Sequence, residues 1–195
     1  MSPLRIASIA LILALAAGLV PAGSTLRASL ATDGTQPNGT ASRPGALSAD
    51  GRFVAFESDA GNLVVGDTNG SFDVFVRDSG TGVTSRVSVS SGGSQGNVGG
   101  NAPDLSSDGR FVAFQSASNN LVAGDNNGTF DVFVHDRETG STTRVSVATG
   151  GGQGNGASVL PAISADGRVV AFRTLATNLV ANDTNGVADV FVHDR

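Results

Sequence analysis

The stretch Ser48-Ala49-Asp50-Gly51-Arg52-Phe53-Val54-Ala55-Phe56-Glu57-Ser58, followed one loop later by Asp73-Val74-Phe75-Val76, decides the reading of this chain because it recurs. Asp50-Gly51-Arg52 returns as Asp108-Gly109-Arg110 and Asp166-Gly167-Arg168. Asp73-Val74-Phe75-Val76 returns as Asp131-Val132-Phe133-Val134 and Asp189-Val190-Phe191-Val192. Every step is 58 residues with no gap. Self-similarity at a fixed period marks a repeat architecture. Within one unit, Phe53 and Ala55 alternate with Val54 and Phe56, which is the period of a strand. Asp50-Gly51 supplies residues that tolerate positive φ, as a tight hairpin turn requires. The pattern predicts four short strands per unit: Ala46–Ser48, Arg52–Ser58, Asp73–Arg77 and Ser85–Ser90. A polar turn at Asp78–Gly82 joins the last two.

Four antiparallel strands repeated with turn signals are the signature of β-propeller blades. The expected fold class is therefore all-β, a β-propeller of three 58-residue repeats at about 43–100, 101–158 and 159–195. Residues 23–42 form an N-terminal segment with an orphan outer strand. There, Arg27-Ala28-Ser29-Leu30, then Gln36 and Asn38, echo Arg86-Val87-Ser88-Val89, then Gln95 and Asn97, with a one-residue offset. The third unit stops after its third strand. Propellers have typically 4–8 blades, so three arrangements are open: a piece of a longer propeller, two chains joined into six blades, or an open three-blade arc that self-associates.

The units of Ser48–Ser58 followed by Asp73–Val76 resemble the TolB-like (WD-repeat-like) β-propeller repeat of exported bacterial proteins. The resemblance covers residues from about 43 to 195 and occurs three times. It departs in length, since short propeller repeats run to roughly 40–45 residues. It implies envelope or protein–protein work, though function lives in sites and not in folds.

Composition agrees with this reading. All twelve basic residues are Arg, and fifteen of seventeen acids are Asp. A chain almost without Glu and Lys lacks the usual helix-surface residues. Twelve of the Asp fall at four repeating positions. With no Cys there is no disulfide framework, thiol nucleophile or zinc-thiolate site. A net charge of −5 without a basic run argues against nucleic acid as a partner. Met1–Ala22 reads as a secretory signal: one Arg, an apolar run over Ile6–Val20, and a small-residue cleavage site after Ala22. That run is shorter than the roughly 20 residues of a bilayer span. The expected location is secreted or periplasmic, with no membrane span once the signal is removed. An uncleaved anchor is the alternative.

The candidate site is Asp67-x-Asn69-Gly70-x-x-Asp73, repeated as Asp125, Asn127 and Asp131 and as Asp183, Asn185 and Asp189. Calcium takes hard oxygens from carboxylates, amide carbonyls and backbone held by a tight turn. The spacing is not that of an EF-hand and is closer to a shortened loop of integrin-type blades. The alternative is purely local: Asp67 and Asn69 bond their own backbone, and Asp73 begins a strand. Strand order places these loops and the Gly-rich loop Ser91–Asn101 at one end of each blade, with the Asp-Gly hairpins at the other. Asn62, Asn120 and Asn178 are expected to form turns, with the following Leu tucked beneath the loop.

Enzyme signals fail. Gly92-Gly93-Ser94-Gln95-Gly96 matches a nucleophile elbow in letters, but no helix-forming sequence follows, and Gly152 replaces the Ser in the next unit. His135 and His193 align with Arg77, which suggests an exposed strand position. The expected function is an exported, non-enzymatic propeller module binding a protein or extracellular ligand. Two alternatives stand beside it: calcium-loaded structural blades, and the non-catalytic propeller of a larger hydrolase like the prolyl oligopeptidases.

Overall fold

The computed structural model describes residues 23–195; the expected signal segment lies outside the described residues. Eleven strands form three antiparallel sheets, and the described residues contain no helix. Blade 1 has the order β1 (Ala41–Leu47), β2 (Phe53–Ser58), β3 (Asp73–Asp78) and β4 (Val83–Arg86). Blade 2 has β5 (Asn101–Leu105), β6 (Phe111–Ser116), β7 (Asp131–Asp136) and β8 (Ser141–Arg144) in the same order. Blade 3 has three strands: β9 (Ser158–Ile163), β10 (Val169–Thr174) and β11 (Asp189–Asp194), with β11 at its edge. Among the described residues no helix is long and apolar enough to cross a membrane.

The first strand begins earlier than expected, at Ala41, because a bulged register lets it pair along most of β2. The fourth strand runs from Val83 to Arg86 and stops before Val87. Val87 still donates its N–H to the Val74 carbonyl; beyond it the backbone leaves the ladder, Val89 bridging to Gln95 as the chain turns back. Residues 24–40 form no strand.

The alternation in β2 sorts side chains as expected. Ala55 joins Val74, Val76 and Val87 on the face of blade 1 that packs against Leu105, Val112, Phe114, Leu121 and Phe133 of blade 2. The opposite face of blade 2 (Ala113, Val132, Val134 and Val145) meets Val170, Phe172, Ala176 and Leu179 of blade 3. Each joint is thus a buried apolar layer in which small residues and valines of one blade meet a face with larger side chains on the next. Full burial of each Val or Phe contributes about 1.5–3 kcal/mol. Leu63, Leu121 and Leu179 are buried beneath their loops.

Polar contacts fix the spacing between blades. Ala49 N–H donates to the Ser107 carbonyl, and Ser107 N–H to that of Ala165. Ala102 (φ 51°) and Leu160 (φ 56°) adopt left-handed backbone within the bulged first strands. Their N–H groups donate to the side chains of Glu57 and Gln115 on the preceding blades, at 2.9 and 2.7 Å.

Candidate functional site

The Asp/Asn loop is built by β3, which starts at Asp73, and by the turn residues preceding it. In blade 1, Asn69 Oδ1 accepts the Ser71 N–H, and Asn69 Nδ2 donates to Asp73 Oδ2 and to the Gly96 carbonyl. Gln95 Nε2 donates to Asp67 Oδ1 at 2.8 Å and Asp73 Oδ2 at 3.0 Å. Ser88 Oγ donates to Asp73 Oδ1 and accepts the Val74 N–H. The Arg86 guanidinium lies 3.4 Å from Asp67 and 3.7 Å from Asp73. Blade 2 repeats the arrangement with Asp125, Asn127, Asp131, Arg144, Ser146 and Gln153.

The structure therefore brings the nine predicted residues together in three loops, one triad per blade. It adds three residues that the spacing of the triad did not reveal: an Arg at the end of the fourth strand, a Ser two residues on, and a Gln seven after that. Arg86, Ser88 and Gln95 are matched by Arg144, Ser146 and Gln153, so their recurrence was the available signal. The shared end expected for the two loop sets is observed, since Gln95 and Gly96 reach into the Asp67–Asp73 loop.

Burial, and then the neighbouring Asp73 carboxylate, push the Asp67 carboxyl above its ordinary value, against the opposing pull of Gln95 and Arg86. Asp125 is raised for the same reasons. Two amide N–H groups and a guanidinium already face the carboxylates in both blades, so calcium would have to displace Arg86 and Arg144 to bind there. In blade 3, Asn185 donates to Asp189 and accepts the Val187 N–H. No Arg or Gln partner of Asp183 and Asp189 is found among the described residues. Nor is any group of three or more His, Asp or Glu among them arranged to hold a metal ion.

At the other end of each blade, the hairpin Asp binds its own turn. Asp50 Oδ1 accepts from Ser48 Oγ and from the Arg52 N–H. Asp78 caps the following turn through the Gly80 and Thr81 N–H groups, as expected. It also holds Arg52 in a bidentate pair at 2.8 and 2.7 Å, which holds its carboxyl far below the ordinary range. Arg110–Asp136 and Arg168–Asp194 repeat the pair.

One expectation is corrected and another extended. His135 is buried and not exposed, its Nδ1 lying 2.8 Å from Thr142 Oγ1, because the segment Val89–Ser91 of the previous unit covers it. Asn62 and Asn120 lie in turns and Asn178 in a bend, and their side chains do more than shape those turns. They clamp the preceding inter-blade loop, accepting the N–H of Asn38, Asn97 and Asn155 and donating to the carbonyls of Gln36, Gln95 and Gln153.

No family model and no curated protein matches the chain. Solved structures do. A protein described as TolB from Agrobacterium tumefaciens superposes with a TM-score of 0.51 at 18% identity, over 80% of this chain and 47% of that one. The chain has the fold of a TolB-like β-propeller. It spans about half the length of that relative. TolB from Acinetobacter baumannii gives a TM-score of 0.47 at 17% identity, over 83% and 31% of the two chains. The β-propeller domain of the Trilobed protease from Pyrococcus furiosus gives 0.42 at 14%, over 80% and 43%. Within this TolB-like frame, the Asp/Asn loops and the Gly-rich loops form one rim of the blade array and the Asp-Gly hairpins the other.

Proposed function

We propose that this chain is an exported, non-enzymatic propeller module that binds a protein or extracellular ligand through the rim carrying the Asp/Asn and Gly-rich loops. The observation that supports it most is apolar surface set in this polar rim. Val65 is fully exposed and Val98 half exposed. Val98 also lines, with Phe72 and Phe130, a cleft of about 250 Å³ between blades 1 and 2. Apolar spots rimmed by polar groups mark interaction sites. Export rests on the Met1–Ala22 pattern. The test is selection of binding peptides from a displayed random library. Ligands that lose at least about tenfold in affinity to the Val65→Asp, Val98→Asp double variant support the reading. Ligands indifferent to that variant but lost on Thr81→Arg, at the opposite rim, sink it.

A second reading, calcium in the Asp-x-Asn-Gly-x-x-Asp loops, draws support from the hard oxygen donors that each repeat gathers in one tight loop, at Asp67, Asn69 and Asp73 and at their counterparts. A melting midpoint that falls under EDTA, and does so no longer in Asp183→Asn, is the expected result. An unchanged midpoint with no retained metal by mass spectrometry rejects it.

A further inference from the structure

The cleft that Val98 shares with Phe72 and Phe130 is lined entirely by blades 1 and 2 and the loop joining them, with Gly99, Asn101 and Ala117 completing its walls. Hydrogen bonds within the fold fix those walls. Gly100 N–H donates to the Phe72 carbonyl at 2.8 Å, and Val98 N–H donates to Ser118 Oγ at 3.0 Å. A Cβ on Gly99, which holds φ +80°, would collide with the Phe72 carbonyl. Glycine is what lets the loop lie this close to Phe72.

Two polar groups at this cleft have no partner among the described residues. In blades 1 and 3, the residue after the second strand donates its N–H to a carbonyl just ahead of the first strand. Asp59 bonds Thr40 at 3.2 Å, and Leu175 bonds Ala157 at 2.9 Å. In blade 2 the corresponding carbonyl, that of Gly99, accepts from the hydroxyls of Ser116 and Ser118. Ala117 N–H is left without an acceptor among the described residues. The Asn101 side-chain amide makes no hydrogen bond with them either, and its Oδ1 is buried. Part-buried backbone donors without acceptors are rare in native folds.

These features belong to one joint and not to the repeat in general. Where blades 2 and 3 meet, Val159 stands at the place of Asn101, Leu175 at that of Ala117 and Ala188 at that of Phe130. The amide, the room beside a small residue and the second aromatic wall are all replaced there. The chemistry of the cleft between blades 1 and 2 defines what it accepts. Its apolar walls suit an apolar side chain, and its unpaired N–H groups require an oxygen acceptor. No charged residue lines it, which favours a neutral carbonyl over a carboxylate. An extended peptide carries an apolar side chain and a carbonyl next to each other on one backbone.

We propose that this cleft is a subsite for an extended peptide segment of a protein partner. It takes one leucine-sized side chain against Phe72 and Phe130, while Ala117 N–H and the Asn101 amide hold the neighbouring peptide carbonyl. The inference rests on the binding rim proposed above and names what enters it.

The experiment is a titration of the exported chain with N-acetyl-leucinamide, followed by NMR of the backbone and side-chain amides. Saturable shifts at Ala117 and Asn101 are expected, with a dissociation constant of about 1 mM for so small a ligand. N-acetylglycinamide keeps the carbonyls and lacks the side chain, and is expected to bind at least about tenfold more weakly. Ala117→Leu is expected to weaken N-acetyl-leucinamide by about tenfold or more, and Asn101→Val by about fivefold. Each variant carries the residue that blade 3 holds at that place, so circular dichroism is expected to be unchanged. Thr81→Arg, at the opposite rim, is expected to bind as wild type does. Absence of saturable shifts at Ala117 and Asn101, equal binding of the two probes, or binding indifferent to Ala117→Leu each overturns the proposal. Library peptides that need Val65 and Val98 but tolerate both Ala117→Leu and Asn101→Val overturn this subsite and leave the rim reading standing.

Discussion

Arg86 and Arg144 do at residue scale what a bound cation would do: each offsets two carboxylates that the fold draws together. Asp73 and Asp131 are fully buried, and a buried carboxylate without a partner is costly. Arg86→Ala is expected to destabilise the chain by about 3 kcal/mol, read as a lower urea midpoint, with the same cost for Arg144→Ala. If Arg86→Ala leaves the midpoint unchanged, the guanidinium is not what neutralises the loop. His135 makes the second residue-scale prediction. Burial lowers its pKa below the ordinary 6.5, so the folded chain keeps it neutral while the unfolded chain takes up a proton. Its contribution is intact above about 6.5 and is lost as pH falls from there through the depressed folded value. Thermal midpoints measured downward from pH 7 are expected to decline less in His135→Gln than in wild type.

Among elements, two turn glycines, Gly109 of a hairpin and Gly128 of an Asp/Asn loop, separate backbone freedom from close packing. Gly109 (φ +70°) and Gly128 (φ +67°) both hold left-handed backbone. A Cβ on Gly128 would meet open space, whereas one on Gly109 would lie 2.4 Å from the Phe53 ring of the neighbouring blade. Gly128→Ala is expected to cost about 1 kcal/mol. Gly109→Ala adds overpacking and is expected to cost about 2–4 kcal/mol. Equal losses in chemical denaturation would show that the Phe53 contact is slack. Strand existence was legible from the period-two pattern, and strand ends were not. The fourth strand ends near Arg86 because the residues after Val87, whose N–H still bonds Val74, leave the ladder and carry Ser88 and Gln95 to the Asp loop. Nothing local in Val87-Ser88-Val89 announces that departure. The Arg52–Asp78 pair was legible only through its constant separation of 26 residues, repeated in every blade.

For the whole molecule, stability sits in the joints between blades. Phe114 is fully buried where blade 1 meets blade 2, so Phe114→Ala is expected to cost about 3–5 kcal/mol, read as a lower midpoint in chemical denaturation. A loss no larger than that of the exposed substitution Val65→Ala would show that this joint does not carry the fold.

The repeats, the four-strand unit, the all-β class and the grouping of Asp in turns and loops were determined by the sequence alone. Each of these is a local pattern copied at a fixed interval, and local patterns are visible in one dimension. Only the tertiary structure decided what the carboxylates face. Arg86 and Gln95 lie 19 and 28 residues from Asp67, and whether they or a metal balance its charge depends on where the chain returns. The same holds for the blade faces. Leu47 and Leu105 occupy the same place in the repeat, and only the packing of blade on blade makes one exposed and the other core.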